Sequence, residues 1–395
     1  MFLPRPLLAK RINIMTAQAQ HLTRELLHFN TINPPGMERE CARFLGKLLG
    51  EAGFDVKYHE FAEHRTSVIA TIGGRHAKPP ICFTGHIDIV PLGVAKWMRD
   101  PFAGETDGDK LFGRGSTDMK SGIAAFVVAA IKLAPHLKNT PGVTIVLTAS
   151  EEVGCEGAKY LVEEKLLDRA GAIVVAEPTS NFPFVGHKGL IWFEIETKGK
   201  TAHASMPEQG ENAILKMGKV IEKLEHFDWK HQCGVDCHHV MGKPTVNVAT
   251  IHGGLNTNSV PDSAKMTVDM RTVPGIDHVH LCRSLESLVG NLGSVRKIVE
   301  TPPLYSEHDE WIESVYVAAT PYVEAKPTAK TIMFSTDGAD LSRGYAANMG
   351  IGIPTVIVGP GEPALAHQTD EWCSLNRIDQ SVDLFARLMR EWNGL

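Results

Sequence analysis

Four short apolar runs constrain the fold of this chain, because most of its clustered acidic and imidazole residues follow one of them. The runs are Ile81–Thr84, Thr144–Leu147, Ala172–Val175 and Pro354–Val358. Their length, partly β-branched composition and flanking glycine or proline are typical of buried parallel strands. In open α/β sheets, ligands bind outside the carboxyl ends of such strands. We therefore predict an α/β fold with a binding site at these strand ends.

The residues at the predicted site carry imidazole and carboxylate groups. They are His86, Asp88, Asp118, Glu151, Glu152, Glu177 and His367. Two imidazoles and at least three carboxylates gathered in one place are most simply neutralised by a cation. Ligation by nitrogen and oxygen without a thiolate suits Zn, Mn or Co better than Mg or an iron–sulfur cluster. The sequence thus indicates a metal site.

Composition and charge narrow the class of partner. The net charge of -6 argues against nucleic acid as the main partner. No apolar run approaches the roughly 20 residues needed to cross a bilayer, so we expect no membrane partner. Seven scattered cysteines do not resemble a disulfide framework and favour a reducing, cytoplasmic location. The apolar stretch among the first residues is too interrupted for a secretory signal. Met15 is an alternative start to Met1.

The order of predicted elements indicates one domain inserted into another. Ala17–Phe29 and Glu38–Ala52 have helical periodicity, and strands then alternate with helices to about residue 180, in a doubly wound pattern that includes a long apolar helix after Met119. From about residue 185 the order becomes β-α-β-β-α-β, which is a ferredoxin-like α+β motif. Its predicted strands are Leu190–Thr197, Thr245–Ile251, Lys265–Arg271 and Val295–Val299, and its helices are Glu211–Phe227 and Val279–Leu292.

The α/β pattern resumes after about residue 301, with one helix from Glu307 and another after Ile378. Because His367 belongs with the other metal-site residues, residues 1–184 and 301–395 are predicted to form one discontinuous, metal-binding catalytic domain. Residues 185–300 form the inserted domain.

Several motifs occur together in an order that resembles the M20 metallopeptidase family over nearly the whole chain. They are Thr-Gly-His86-Ile-Asp88, Trp97–Phe102, Gly-Arg-Gly-Ser-Thr-Asp118-Met-Lys, Ser-Glu151-Glu152-Val-Gly, Ala-Glu177-Pro-Thr, Thr-Ala-His203-Ala-Ser and Ala-His367-Gln-Thr-Asp-Glu. Each motif alone is weak, but the ordered set is specific. The chain is most similar to the branch that contains acetylornithine deacetylase and succinyl-diaminopimelate desuccinylase.

The resemblance implies a zinc-peptidase-like catalytic domain that holds two divalent metal ions, with Zn first and Co or Mn as alternatives. In that scheme His86 and Glu177 hold one ion, Glu152 and His367 hold the other, and Asp118 bridges them. Asp88 lies two residues beyond His86 and therefore on the same side of an extended segment, where its carboxylate can orient the imidazole. The adjacent Glu151 is implied to be the general base.

The resemblance also implies that the inserted domain is a lid and dimerisation domain of a homodimer. His203 would reach the active site of the partner subunit and bind the oxyanion, although an isolated histidine of this kind is usually a surface residue. Asn258 and Arg271 resemble positions that grip a substrate carboxylate, and Thr336 and Gly338 resemble a substrate loop. The structural alternative is a loop cap for Asn258 and an exposed strand residue for Arg271.

The function implied is hydrolysis of an amide bond, not an ester, in a small substrate with a free carboxylate. A metal-activated water would cleave the N-acetyl or N-succinyl group of an amino acid, with Glu151 as base. A metallo-carboxypeptidase or dipeptidase, an aminoacylase, and an amidohydrolase for an unusual amide or aromatic amine remain alternatives, because the metal motifs do not set specificity. A non-catalytic metal-binding protein is the alternative from a different class.

Two further features invite a functional interpretation that the sequence does not favour. Cys233, Cys237, His238 and His239 have the residue types of a second zinc site but lack a second ligand pair. Lys120 follows Asp118 and is interpreted as a lysine at a helix start, not as a catalytic residue.

Overall fold

The structure, a computed structural model, describes residues 19–395. The alternative start at Met15 and the first residues of the helix predicted from Ala17 lie outside the described residues. Within them the chain forms two compact units. The first unit runs to Phe184 and continues over Ser306–Thr328 and Thr336–Leu395, and the second comprises Val185–Tyr305 and Ala329–Ser335.

The helices and strands of both units are named in chain order. The helices are α1 (Ala19–Leu27), α2 (Arg39–Glu51), α3 (Ser121–Leu137), α4 (Glu156–Glu163), α5 (Ala213–Glu225), α6 (Trp229–Cys233), α7 (His278–Val289), α8 (Glu310–Ala319), α9 (Gly338–Met349) and α10 (Leu375–Asn393). The strands are β1 (Asp55–Ala62), β2 (Arg65–Ile72), β3 (Ile81–His86), β4 (Thr106–Asp107), β5 (Lys110–Phe112), β6 (Val143–Thr148), β7 (Ala172–Val175), β8 (Gly186–His187), β9 (Gly189–Lys198), β10 (Thr245–Gly253), β11 (Ser263–Thr272), β12 (Ser294–Thr301), β13 (Leu304–Tyr305), β14 (Thr355–Ile357) and β15 (Trp372–Ser374).

The central sheet of the first unit has the strand order β1-β2-β6-β3-β7-β14. Strands β6, β3, β7 and β14 are parallel, as the four apolar runs predicted. Strands β1 and β2 form an antiparallel hairpin that pairs with the β6 edge, so the sheet is mixed. The link between β1 and β2 is a tight turn, which can join only antiparallel neighbours.

Helices cover both faces of this sheet. On one face Phe83 of β3 packs its ring against Phe126 of α3 and Phe385 of α10. On the other face the hydroxyl of Tyr345 in α9 donates to the Sγ of Cys82 at 3.7 Å. Because successive strand residues point to opposite faces, these contacts show a doubly wound arrangement, which confirms the predicted fold class.

Side-chain caps explain where several helices begin. Ser374 accepts a hydrogen bond from the backbone of Arg377 and begins α10 at Leu375, earlier than the prediction from Ile378. Asp309 accepts one from the backbone of Ile312 and begins α8 at Glu310, later than the prediction from Glu307. Both caps satisfy backbone N–H groups that a helix start leaves unpaired.

The second unit contains a four-stranded antiparallel sheet of order β10-β11-β9-β12. With α5 and α7, its chain order is β-α-β-β-α-β. Met217 of α5 and Leu281 of α7 are fully buried in one hydrophobic core with Phe193 of β9 and Met266 of β11. The helices therefore cover one face of the sheet, as in a ferredoxin-like layer.

Two short segments assigned to the catalytic domain by sequence pack with the second unit. Leu304 and Tyr305 form β13, which pairs with β8, and the backbone N–H of Ile332 donates to Gly186 at 2.9 Å. These backbone pairings place residues 301–305 and 329–335 in the second unit through contacts between distant parts of the chain, which hydrophobic periodicity does not encode.

One helical stretch in the described residues, Ser116–Leu137, is long and apolar enough to span a membrane by length and composition alone. Its most apolar window is 83% buried within the protein. It includes α3, which packs against α1 and α10 and is thus a core helix of the first unit.

Candidate metal centre

The parallel strands bring three of the predicted ligands to one edge of the sheet. Strand β3 ends at His86 and lies between β6 and β7, parallel to both. Glu152 follows β6 and Glu177 follows β7. Because parallel strands end at a common edge, these side chains meet there, as the sequence predicted.

Asp118 lies between the two predicted imidazoles and faces one with each oxygen. Its Oδ1 is 3.1 Å from Nε2 of His86, and its Oδ2 is 3.2 Å from Nε2 of His367. The residue has a non-helical backbone, φ -121° and ψ 93°, in the segment Ser116–Lys120 directly before α3. A carboxylate with one oxygen toward each imidazole has the arrangement required of a bridging ligand.

Each imidazole also faces a second carboxylate. Glu177 Oε1 is 3.8 Å from Nε2 of His86, and Glu152 Oε2 is 3.2 Å from Nε2 of His367. Ligand atoms of His86, Asp118 and Glu152 all lie within 4.8 Å of one another. The structure therefore brings together all five residues predicted to bind metal, as two imidazole–carboxylate pairs that share Asp118.

Asp88 connects the imidazole of His86 to the Glu151–Glu152 turn. Its backbone oxygen accepts a hydrogen bond from Nδ1 of His86 at 3.0 Å, which directs Nε2 toward the carboxylates. Its side chain lies farther from that ring, 3.5 Å from Nδ1, and accepts from the backbone N–H of Glu151 at 3.0 Å and of Glu152 at 3.2 Å. Asn33 donates to the same carboxylate at 2.8 Å. Asp88 thus fixes the backbone of the predicted base as well as the imidazole.

Burial and crowding set the protonation of the cluster. Burial raises the pKa of Glu151 and of Glu177 well above the usual range for glutamate. Hydrogen bonds with Asp118 and Glu152 raise the pKa of His367 to about 10. Burial alone would raise the pKa of Asp118, but its contacts with His367 and His86 hold it below the usual range. The cluster therefore favours positive charge beside Asp118.

The donor set fits divalent cations. Four carboxylates, those of Asp118, Glu151, Glu152 and Glu177, accompany two imidazoles, and Oε1 of Glu152 is buried without a hydrogen-bond partner. An unpaired buried carboxylate oxygen is costly unless a cation or donor satisfies it. Nitrogen and oxygen ligands without thiolate suit Zn, Mn or Co.

The remaining predicted site residues are divided between the two units. His203, Asn258 and Arg271 belong to the second unit, where the backbone N–H of Ala204 donates to the carbonyl of Asn258 at 3.0 Å and places His203 and Asn258 on neighbouring segments. Arg271 lies on β11 and pairs with Asp269 at 2.8 Å.

The predicted substrate loop belongs to the first unit. Thr336 is buried and accepts a hydrogen bond from the backbone of Gly338, the first residue of α9. Asp337 between them is a buried carboxyl group that accepts from the hydroxyl of Thr148. Burial raises its pKa to about 6.

Lys120 has a structural position. Lys120 is fully buried, and its ammonium donates to the backbone oxygens of Leu26 and Phe29 at 3.0 and 2.9 Å, so it anchors the loop after α1. Among residues 19–395, His86, Asp118 and Glu152 are the group of three whose ligand atoms all lie close enough to hold one ion. The segment Cys233–His239 therefore does not assemble a second metal site.

The buried pair Arg114 and Glu371 was not predicted from the sequence. Nη1 of Arg114 lies 2.6 Å from Oε2 of Glu371, and the two side chains are 2% and 0% exposed. Both residues lie in motifs that carry predicted ligands, Gly-Arg-Gly-Ser-Thr-Asp118 and His367-Gln-Thr-Asp-Glu. The presence of one basic and one acidic residue within these motifs is the sequence signal that could have suggested the pair.

A family model described as peptidase family M20/M25/M40 matches residues 82–391. The chain belongs to this family. As an M20 protein it is a metal-dependent hydrolase that acts on amide bonds. The matched region includes all five residues of the two imidazole–carboxylate pairs.

Curated M20 relatives align over most of the chain. A probable succinyl-diaminopimelate desuccinylase of Staphylococcus aureus strain Mu50 is 29% identical over 378 residues, covering 88% of this chain and 93% of that protein. An acetylornithine deacetylase of Vibrio campbellii is 27% identical over 376 residues, covering 90% and 93%.

Solved M20 structures share the fold. The metallo-carboxypeptidase Sso-CP2 of Sulfolobus solfataricus has a TM-score of 0.75 at 18% identity and covers 96% of this chain and 100% of its own. YXEP of Bacillus subtilis, described as a dinuclear metal binding peptidase, has a TM-score of 0.64 at 19% identity and covers 94% and 96%. At these identities the comparison establishes the fold.

Proposed function

We propose that this M20 enzyme removes an acyl group, N-acetyl or N-succinyl, from a small amino acid derivative with a free carboxylate. The observation that carries the proposal is the placement of Asp118 between His86 and His367, with one oxygen toward each. The names of the desuccinylase and deacetylase relatives support the acyl-amino-acid class.

Two divalent cations would be held by the imidazole–carboxylate pairs, one by His86 and Glu177 and one by Glu152 and His367, with Asp118 shared. When bound, such ions lower the pKa of water and polarise the amide carbonyl. Zn is our first choice, with Co or Mn as alternatives, because the ligands are nitrogen and oxygen atoms. The dinuclear metal binding of the Bacillus subtilis relative supports two ions.

Glu151 would accept the proton of the attacking water and return it to the amine nitrogen as the C–N bond breaks. Burial raises its pKa well above the usual range for glutamate, which makes its carboxylate a stronger proton acceptor than an exposed one. Asp88 holds the Glu151 backbone at 3.0 Å, and the Cys155 thiol donates to Oε1 of Glu151 at 3.6 Å. These contacts limit the positions that the carboxylate can adopt.

Arg271 and Asn258 are proposed to bind the substrate carboxylate. Thr336 and Gly338 remain a predicted substrate loop. A guanidinium matches a carboxylate with two parallel hydrogen bonds. The pair with Asp269 holds one nitrogen of Arg271.

A substrate panel tests this assignment. With added Zn, Mn or Co, we expect N-succinyl or N-acetyl amino acids to be hydrolysed with a kcat/KM at least about tenfold above that of dipeptides, a difference of about 1.4 kcal/mol. Amine release is measured, with chelated enzyme as the control. A preference for dipeptides would instead support a carboxypeptidase or dipeptidase. Cation uptake without turnover of any member would support a non-catalytic metal-binding protein.

We also propose a homodimer formed through the second unit. Within residues 19–395, strand β10 pairs with β11 alone and is thus an edge of its sheet. Leu215, Ile251 and Leu255 are 67%, 48% and 96% exposed in this unit. An open strand edge with exposed apolar side chains favours pairing with another chain.

A cytoplasmic location remains a prediction, in accord with seven free cysteines.

His203 is expected to act across this dimer. Its side chain is exposed and Nδ1 shares a hydrogen bond with the Ser205 hydroxyl at 2.7 Å, which leaves Nε2 to bind an oxyanion. We expect His203→Ala to lower kcat by about 10²- to 10³-fold, the range for loss of one such donor, with cation content unchanged. Mixing this variant with Glu151→Gln should partly restore activity through hybrid dimers, as measured by amine release. Absence of restoration in verified hybrids would place His203 in its own subunit's site.

A further inference from the structure

The Glu371 carboxylate holds the loop that carries Asp118. Oε1 accepts from the backbone N–H groups of Thr117 at 2.8 Å and Asp118 at 3.1 Å, and Oε2 accepts from Gly115 at 3.1 Å. The backbone oxygen of Glu371 also accepts from Gly113 at 2.9 Å. The buried Glu371 carboxyl group thus fixes the backbone on which Asp118 lies.

Arg114 holds the loop that carries His367. Its guanidinium pairs with Glu371 at 2.6 Å and donates to the backbone oxygens of Gln368 at 3.2 Å and His367 at 3.4 Å. A third backbone oxygen, that of Pro91, accepts at 3.3 Å. One guanidinium therefore connects the His367 loop with the anion that fixes Asp118, a role for which a planar fork of donors is suited.

The two predicted cation positions depend on this pair to different degrees. His86 ends β3, whose neighbours on both sides hold it by strand pairing. His367 lies in a loop at a left-handed backbone position, φ 63°, with its side chain 51% exposed. Of the two imidazoles, His367 has less support from regular structure.

We propose that Arg114 and Glu371 are positioning residues that set the separation of Asp118 and His367, and so the affinity for the cation at Glu152 and His367. This inference rests on the proposed two-cation function. Groups behind metal ligands commonly change metal affinity by about 10- to 100-fold. For the Arg114 contacts, we expect the loss of affinity to fall on the cation at Glu152 and His367.

Cobalt titration of the full chain tests the pair, with binding followed by the visible absorption of bound Co²⁺ and by equilibrium dialysis. We expect Arg114→Lys to bind one ion as the wild type does and the second about 10- to 100-fold more weakly. Lysine retains the charge but cannot reach the same set of acceptors. Glu371→Gln should weaken the same ion and also the other one, because its amide N–H would face the backbone N–H groups that hold the loop of the shared ligand Asp118.

The matched control is Arg377→Lys, in a pair with Glu362 at 2.8 Å in the same unit but with the arginine side chain 35% exposed. It should bind both ions like the wild type. Equal weakening of both ions in Arg114→Lys would indicate a general structural role and overturn the proposal, as would unchanged binding of both ions in either variant. If the wild type itself takes up fewer than two ions, both the proposed function and this inference fail. Two ions in the wild type with no split in Arg114→Lys removes this inference alone.

Discussion

Replacement of Glu151 by Gln is expected to lower kcat by about 10²- to 10⁴-fold, the contribution typical of a positioned general base. The amide has nearly the same shape but does not accept a proton from water. Because Glu151 is not among the five residues of the imidazole–carboxylate pairs, cation content should stay at the wild-type value. Amine release and metal analysis of the same preparation measure the two quantities together.

The control for this substitution is Glu163→Gln, an exposed glutamate at the end of α4. It makes the same chemical change without a role in the site and should retain full activity. Wild-type kcat in Glu151→Gln would show that another group accepts the proton. Loss of cations together with activity would show that Glu151 is a ligand.

Replacement of Asp118 by Asn is expected to remove both cations and reduce turnover to the level of chelated enzyme. The amide offers one oxygen where the carboxylate offers two, and its N–H group points at one of the sites occupied by cation or imidazole. The affinity for each ion should fall by more than about 100-fold, the upper end for substitutions behind a ligand. Dialysis against a metal buffer followed by metal analysis gives the two affinities.

Asp107→Asn is the matched control, since Asp107 is an exposed carboxylate paired with Arg99 at 2.9 Å in the same unit. Its cation content and activity should equal those of the wild type. If Asp118→Asn loses only one ion, Asp118 is not shared between the two positions. The contrast with Glu151→Gln, which keeps its ions, separates a bridging ligand from a base.

The strand pattern allowed much of the fold to be predicted. Ala172–Val175 was predicted with its observed bounds, because a buried parallel strand is a short apolar run that ends sharply. The elements of the second unit could also be predicted, since the alternation of apolar and polar residues in β9 to β12 and the helical periodicity in α5 and α7 are local properties. The β1–β2 hairpin and helix α9 were not specified, because the pairing partner of an edge hairpin and the burial of a Gly- and Ala-rich helix depend on tertiary contacts.

The candidate site likewise contains residues that could be assigned from sequence and residues that could not. His86 and Glu177 are found by position at strand ends, whereas the approach of His367 to Asp118 spans distant parts of the chain and was inferred from family resemblance. The roles of Arg114 and Glu371 depend on which backbone groups face a buried charge. No periodicity records that information, so neither residue could be assigned from sequence.

Asp88 illustrates a limit of reasoning from spacing. The two-residue separation from His86 predicted that the carboxylate of Asp88 orients that imidazole. The carboxylate lies 3.5 Å from Nδ1, and the backbone oxygen makes the shorter contact at 3.0 Å. The carboxylate instead accepts from the Glu151–Glu152 turn, which belongs to a different strand end. Sequence spacing identified the residue but not which of its groups makes each contact.

The discontinuity of the first unit affects the order in which its parts become available during synthesis. A growing chain that has emerged through β12 already contains His86, Asp118, Glu152 and Glu177, but it lacks β14, His367 and Glu371. Synthesis of most of the second unit therefore separates these four groups from His367 and Glu371. Completion of the site comes after that synthesis, and a chain that stops before His367 cannot form both imidazole–carboxylate pairs.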